Sequence, residues 1–142
     1  MTDSTYTAFG ALDPFFDIVQ RGLAGHVDGD HYFDAIADDA VFEFRYIFPG
    51  WPQKLNSREA LMALYAGYGS NILLHGADAL VVHQSQDARV VILEYEVHGK
   101  ILRTGAAYDN RFISVVTIGN RKIVQWRDYM DSLTAMNALN ST

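Results

Sequence analysis

Residues 122–131 have the sequence KIVQWRDYMD, which places an acid where a buried strand needs an apolar side chain. Side chains of a β-strand alternate between faces, so Trp126 and Asp128 share one face. A carboxylate is rarely buried without a partner, because the loss of its hydration costs much free energy. Asp128 is therefore expected to pair with Arg103 or Arg111, to lie in a dimer contact, or to act as an acid or base in a pocket.

The residues before this stretch predict a meander of antiparallel strands. Alternation of apolar and polar residues predicts strands at 40–48, 77–83, 89–97, 101–118 and 122–130. Hairpin turns are predicted at 97–100 and 118–121, and a further turn at 38–39 leads into the first strand.

Three helices are predicted, two before the strand at 40–48 and one between it and the strand at 77–83. The first begins at Asp13-Pro14, a pair suited to the unpaired N–H groups of a helix start, and ends near Gly25. A second, short helix follows residues 28–30, and Ser57 caps the third. Helices followed by antiparallel strands predict an α+β fold, with the helices covering one face of a curved sheet.

Composition limits the classes of function. A length of 142 residues and 49% hydrophobic content fit a single domain, residues 1–142, with a substantial core. A net charge of −6 without basic runs argues against nucleic-acid binding. Cysteine is absent, and no His, Asp and Glu set has metal-ligand spacing, so neither a disulfide nor a metal site is expected. Residues 1–10 lack a signal pattern and no stretch is apolar enough to span a membrane, so we expect a cytoplasmic protein.

Four segments, residues 38–41, 49–52, 57–61 and 108–131, carry a resemblance to a known family. In this order they resemble the NTF2-like superfamily, and within it the SnoaL-like polyketide cyclases and the related limonene-epoxide hydrolases. The resemblance implies a cone-shaped α+β barrel, often a homodimer, and extends over nearly the whole chain. Because the superfamily includes both enzymes and binding modules, it does not by itself imply an activity.

One functional residue transfers from these relatives. In the epoxide hydrolases, the Asp of the Trp-Arg-Asp-Tyr motif helps to activate water, and it corresponds to Asp128. Their other two catalytic residues, an Arg and an Asp, fall on Tyr95 and Val97, so that set is incomplete. The base and the tyrosine of ketosteroid isomerase fall near Phe44 and Gly22, and that set is incomplete too.

The predicted site combines proton-transfer groups with a hydrophobic pocket. The catalytic candidates are Asp128, His75 and Tyr95, since an acid, an imidazole and a phenol can each hold or orient a proton. The predicted pocket residues occupy the expected inner surface and are Phe42, Phe44, Tyr46, Trp51, Tyr65, Tyr108, Asn110, Trp126 and Met130. Ser114 has no histidine arranged beside it, so it is not predicted to be a nucleophile.

The predicted function is acid/base chemistry, without a cofactor, on a small hydrophobic or aromatic substrate. Cyclisation, isomerisation, dehydration and hydrolysis all fit this chemistry. Two alternatives stay open. One is a small-ligand-binding protein of the same fold, and the other is an interaction module whose cavity is filled by bulky side chains such as Phe42 and Phe48.

Overall fold

The structure, a computed structural model, describes residues 4–140, which form a six-stranded sheet with helices packed on it. The strands are β1 (Ile36–Phe44), β2 (Lys54–Leu55), β3 (Ile72–Gln84), β4 (Val90–Ile101), β5 (Ala107–Gly119) and β6 (Lys122–Met130). The helices are α1 (Asp13–Gly22), α2 (Arg58–Ala66) and α3 (Ser132–Leu139), with 3₁₀ segments at Ser4–Leu12, Phe33–Ala35 and Tyr68–Ser70. This architecture confirms the predicted α+β class.

Strand β6 occupies the interior of the sheet, whose order is β2-β1-β6-β5-β4-β3. It pairs antiparallel with β5, so β3 to β6 form the predicted antiparallel meander, and it pairs parallel with β1. Phe44 is the Cα partner of Asp128 in the parallel pair. The backbone N–H of Arg45 donates to the carbonyl oxygen of Asp128 at 2.8 Å, which fixes the end of β1 beside the acid.

The first strand lies four residues earlier than predicted. Residues 38–39 belong to β1 rather than to a turn, and the register with β6 shifts between Ile36 and Val41. Because β1 ends at Phe44, Tyr46 and Phe48 lie in the connection that follows it. That connection therefore supplies side chains that the prediction assigned to a strand face.

The hairpin predicted at residues 118–121 is confirmed. Asn120 and Arg121 have φ values of 56° and 61°. A two-residue type I′ turn requires a positive φ at both central positions. The Arg121 side chain holds this turn against the N-terminal half of the chain, since its Nε donates to Asp28 Oδ1 at 2.8 Å.

The turn predicted at residues 97–100 is wrong, because β4 continues without interruption to Ile101. Gly99 is the Cα partner of Leu74 in β3, next to a register irregularity. A Cβ at position 99 would lie 2.9 Å from the Cα of Leu74, closer than side-chain atoms approach backbone. The glycine permits a close approach of two strands and does not mark a turn.

The helices agree only partly with the prediction. Helix α1 contains Pro14 in its first turn and buries Phe15, as expected. Helix α2 begins after Ser57, whose Oγ accepts a hydrogen bond from the Ala60 N–H at 3.0 Å. The predicted second helix is wrong in length, since only the Phe33–Ala35 3₁₀ turn follows residues 28–30. Helix α3 was not predicted, and it packs on β5 after the last strand.

No helix within residues 4–140 is both long enough and apolar enough to cross a bilayer. The predicted absence of a signal pattern concerns residues 1–10, of which the first three lie outside the described part of the chain.

Candidate functional site

Asp128 lies toward the C-terminal end of β6, between Phe44 of β1 and Ser114 of β5 as its Cα partners. The residue is only 5% exposed, and its side chain reaches the cavity that the sheet encloses with the helices. Trp126, on the same face, is fully buried. The alternation predicted for this end of β6 is therefore correct, and it places a carboxylate among apolar side chains.

One oxygen of the Asp128 carboxylate receives all of its hydrogen bonds. Oδ1 accepts from Ser114 Oγ at 2.8 Å and from Trp126 Nε1 at 3.2 Å. Tyr95 lies behind Ser114, with its hydroxyl 2.8 Å from Ser114 Oγ. When the Ser114 hydroxyl donates to Asp128, the Tyr95 hydroxyl donates in turn to Ser114. None of the residues from 4 to 140 donates to Oδ2, which leaves that oxygen for a ligand.

The ion pair with Arg103 or Arg111, one of the alternatives for Asp128, does not form. Arg103 is exposed and donates through Nη2 to the carbonyl oxygen of Leu139 at 2.7 Å, while Arg111 is exposed on the outer side of β5. No cation in the described chain lies within salt-bridge distance of Asp128. Burial without a counter-charge raises the pKa of Asp128 to about 7, although hydrogen bonds from Ser114 and Trp126 oppose the shift.

The cavity in front of Asp128 has a volume of about 470 Å³. This volume lies within the range of roughly 300–1,000 Å³ that is typical of small-molecule pockets. Six of the predicted pocket residues line it, and they are Phe44, Tyr46, Trp51, Tyr65, Tyr108 and Met130. An open cavity of this size contradicts the alternative in which side chains fill the interior.

Five predicted residues do not line this cavity. Phe42 and Trp126 are both 0% exposed, and the rings of Phe15 and Tyr32 cover the Trp126 indole. These residues belong to the core behind the site, where a ring from α1 and a ring from the turn before Phe33 pack over this part of the sheet. Asn110 is also buried, and its Nδ2 donates to the Tyr108 hydroxyl at 2.9 Å.

The fourth of these residues, Tyr95, is 2% exposed and stacks on the ring of Phe112, with centroids 5.6 Å apart. It reaches the site only through Ser114, so its position suits orientation of Asp128 rather than contact with a ligand. His75 is exposed on β3 and does not line the cavity. The structure therefore does not bring His75 together with Asp128.

Several contributors to the site were not predicted. Tyr68 and Phe15 line the cavity from the helical side, and Ala135 and Leu139 of α3 close it from the C-terminal side. Ser114, which was not predicted as a functional residue, donates directly to Asp128. The apolar residues after Asp131 are the only sequence signal for α3. Asp131 itself caps the helix by accepting from the Thr134 N–H at 3.1 Å.

Hydroxyl groups surround Asp128 and remain protonated. Burial raises the pKa of Tyr46 and of Tyr65 far above its ordinary value, and the negative charge of Asp128 contributes to both shifts. Burial likewise raises the pKa of Tyr108 to about 12. At neutral pH these phenols are hydrogen-bond donors, and Asp128 is the group whose charge changes.

A possible metal-ligand group lies on the outer face of the sheet. Ligand atoms of Asp78, Glu96 and His98 lie within 4.8 Å of one another. Both ring nitrogens of His98 already have carboxylate partners, at 2.8 Å from Asp78 and 2.7 Å from Asp109. These two hydrogen bonds raise the pKa of His98, which favours an imidazolium that bridges two acids. The cluster lies outside the cavity lining.

The curved sheet and its aromatic cavity, with one buried acid, define a pocket protein of the NTF2-like class. A family model for the SnoaL-like domain matches residues 14–126, and the chain belongs to this family. The match confirms the resemblance drawn from the sequence. It ends two residues before Asp128, so the acid itself lies outside the matched stretch.

Individual relatives agree with this assignment. An uncharacterized Bacillus subtilis protein, YesE, is 31% identical over 105 residues, which cover 74% of this chain and 71% of that protein. A crystal structure of a proposed isomerase from Bacillus subtilis is similar with a TM-score of 0.74 and 26% identity, covering 99% and 98% of the two chains. A proposed polyketide cyclase from Xanthomonas campestris has a TM-score of 0.67 at 16% identity, over 94% and 96%, and shows the fold alone.

Proposed function

We propose that this protein is an acid/base enzyme that needs no cofactor and acts on a small hydrophobic or aromatic substrate. The observation that carries the proposal is the state of Asp128, a buried carboxyl with no cationic partner in the described chain and with one unbonded oxygen. Its pKa of about 7 lets the same group accept or release a proton near neutral pH.

The shared step of cyclisation, isomerisation and dehydration is transfer of a proton at carbon. In the proposed reaction, Oδ2 of ionised Asp128 takes a proton from a C–H group adjacent to a carbonyl, and the electron pair moves onto the carbonyl oxygen. Tyr46, a neutral hydroxyl in the cavity wall, donates a hydrogen bond to that oxygen. Protonated Asp128 then returns the proton to another atom of the substrate, which restores the carboxylate.

Ser114 and Tyr95 support this step from behind the carboxylate. Their hydrogen bonds hold Oδ1 and so direct Oδ2 into the cavity. Both residues are buried, and neither lines the cavity. They are positioning residues, which act on the substrate only through Asp128.

Hydrogen–deuterium exchange tests the proposal without knowledge of the natural substrate. We expect the protein to accelerate exchange of the acidic C–H protons of β-tetralone in D₂O, followed by proton NMR. Asp128→Asn should abolish the acceleration, because an amide cannot accept the proton. Asp17→Asn makes the same change of charge on the exposed face of α1 and should leave it intact.

Exchange at the uncatalysed rate, or at equal rates in the wild type and Asp128→Asn, would contradict the enzyme proposal. Saturable binding of β-tetralone without exchange would instead favour the binding-protein alternative.

We also propose that the protein is a homodimer that associates through the outer face of its sheet. One cross-strand row on this face joins Val81, Glu94, Ile113 and Tyr129 as successive Cα partners. Val81 and Ile113 are 47% and 42% exposed, so this row presents two large aliphatic side chains to water. Burial of this row against a second copy of the chain would remove the side chains of Val81 and Ile113 from water.

A further inference from the structure

The charge of the cavity wall restricts which ligands it accepts. We propose that the natural ligand is a weak base, which the cavity binds as a protonated amine on a compact apolar body, in preference to uncharged or carboxylate analogues. This inference rests on the proposed function in that it places the ligand at Asp128. It adds the chemical class of the ligand.

The wall carries a single ionisable group that is charged near neutral pH. Among the described residues that line the cavity, Asp128 is the only acid, and no Lys, Arg or His is present. The tyrosine hydroxyls remain neutral there. An ionised Asp128 therefore gives the cavity a negative charge that no protein group neutralises, and a ligand cation is the group that can do so.

The carboxylate is bonded in a way that suits an ammonium donor. Oδ1 is occupied by Ser114 and Trp126, while Oδ2 receives no hydrogen bond from the described chain. An N–H⁺ group supplies both the missing donor and the missing charge, and it leaves the second lone pair of Oδ2 for the proton that the proposed reaction transfers. A ligand carboxylate would instead place two negative groups together, and one of them would have to take up a proton.

Aromatic rings next to Asp128 favour the same ligand. Phe44, the Cα partner of Asp128, packs edge-to-face against Tyr46 and Trp51, with centroids 6.2 and 5.7 Å away. All three rings line the cavity. Cations are attracted to the faces of aromatic rings, and more strongly when water is excluded. An aliphatic wall of the same volume would give a cation no such stabilisation.

A cation near the cavity does not reverse this preference. Arg103 lies at the rim, where its Nη2 donates to the carbonyl oxygen of Leu139. Leu139 lines the cavity but Arg103 does not, and the guanidinium is exposed. Solvent screens a charge in that position, whereas Asp128 acts at short range and without screening.

Three probes of equal size and different charge test the inference by isothermal titration calorimetry. They are β-naphthylmethylamine, β-naphthylmethanol and β-naphthoate, measured at about pH 8, where a carboxyl with a pKa near 7 is mostly ionised. We expect the amine to bind at least about 10-fold tighter than the alcohol and at least about 100-fold tighter than the naphthoate. Asp128→Asn should reduce the preference for the amine over the alcohol to less than about 3-fold. Asp17→Asn should leave it unchanged.

The inference is overturned if naphthoate binds as tightly as the amine, or if the preference for the amine persists in Asp128→Asn. Failure of all three probes to bind overturns it as well and removes the cavity as the ligand site. The exchange experiment on β-tetralone is separate, because it measures proton transfer and not charge preference. A protein that binds the amine but does not accelerate exchange would retain this inference and lose the enzyme proposal.

Discussion

The two carboxylate oxygens of Asp128 have different surroundings, so they have different roles. Oδ1 is held by Ser114 and Trp126, while Oδ2 receives no hydrogen bond from residues 4–140. The hydrogen bond from Ser114 stabilises the charged form and so lowers the pKa, against the larger effect of burial. Ser114 thereby adjusts the pH at which Asp128 exchanges its proton.

Ser114→Ala is expected to raise the pKa of Asp128. The variant removes a hydrogen bond to the charged form, and such bonds contribute about 1.5–3 kcal/mol, which corresponds to a rise of roughly one to two pH units. The carboxyl carbon of Asp128, followed by ¹³C NMR across a pH titration, measures this value directly. Tyr95→Phe should shift the pKa in the same direction by less, since Tyr95 acts through Ser114. An unchanged titration in Ser114→Ala would show that the serine only fills space.

The raised pKa of Asp128 also makes stability depend on pH. The folded-state pKa of about 7 exceeds the ordinary value of 3.8, so the native state binds more protons between these values. This contribution to stability is complete below 3.8 and is lost as the pH rises through about 7. We expect the free energy of unfolding to fall by about 4 kcal/mol over this window.

Urea unfolding of the wild type and Asp128→Asn at about pH 5 and about pH 8 measures the upper part of this loss, and the comparison isolates Asp128 because all other titratable groups are common to both proteins. Asp128→Asn should lose the part of the pH dependence that Asp128 causes. An equal pH dependence in both proteins would place the Asp128 pKa near its ordinary value.

At the scale of the element, Gly99 shows that a glycine in the sequence does not always indicate a turn. A glycine within VHGK predicts a turn, yet β4 passes straight through it. The glycine is needed because β3 comes too close for a side chain, with the carbonyl oxygen of Leu73 as the nearest obstacle. A close approach between two paired strands leaves no signal in the residues around the glycine, so the local pattern predicted a turn there.

Gly99→Ala and its matched control Gly76→Ala test this explanation. A Cβ at position 99 would collide with the backbone of β3, so we expect Gly99→Ala to lower the free energy of unfolding by at least ~2 kcal/mol. A Cβ at Gly76, in β3 itself, would meet nothing within 4 Å, and its substitution should change stability by less than ~0.5 kcal/mol. Thermal and urea unfolding compare the two. Equal effects would indicate a general preference for glycine in β3 and β4 instead of a clash.

The pairing of β5 with β6 shows why part of the site could be predicted and part could not. The WRDYM stretch was sufficient to identify Asp128, because alternation along one strand is a local property. Counting outward from the turn at Asn120-Arg121 would place Ser114 opposite Arg127. A register shift near Thr117 places it opposite Asp128 instead. Such an irregularity depends on packing across strands, so the most direct partner of the acid was missed.

At the scale of the whole molecule, the proposed dimer makes its own prediction. Ile113→Lys should produce monomers, because it places a charge in the middle of the outer-face row. Leu102→Lys, in the turn between β4 and β5, adds the same charge at a similarly exposed residue and should leave the dimer intact. Sedimentation equilibrium of the three proteins measures the mass. A wild-type protein of 15.9 kDa in solution would contradict the dimer proposal.

The parallel pairing of β1 with β6 has a consequence for synthesis on the ribosome. The first long strand to leave the exit tunnel finds its interior neighbour only in residues 122–130, near the end of the chain. Until then, the aromatic side chains of β1 lack one of the two strands that cover its edges. The hairpin of β3 and β4 can form earlier, from segments adjacent in sequence. Completion of the sheet, and with it assembly of the acid and its cavity, must therefore follow emergence of residues 122–130 from the tunnel.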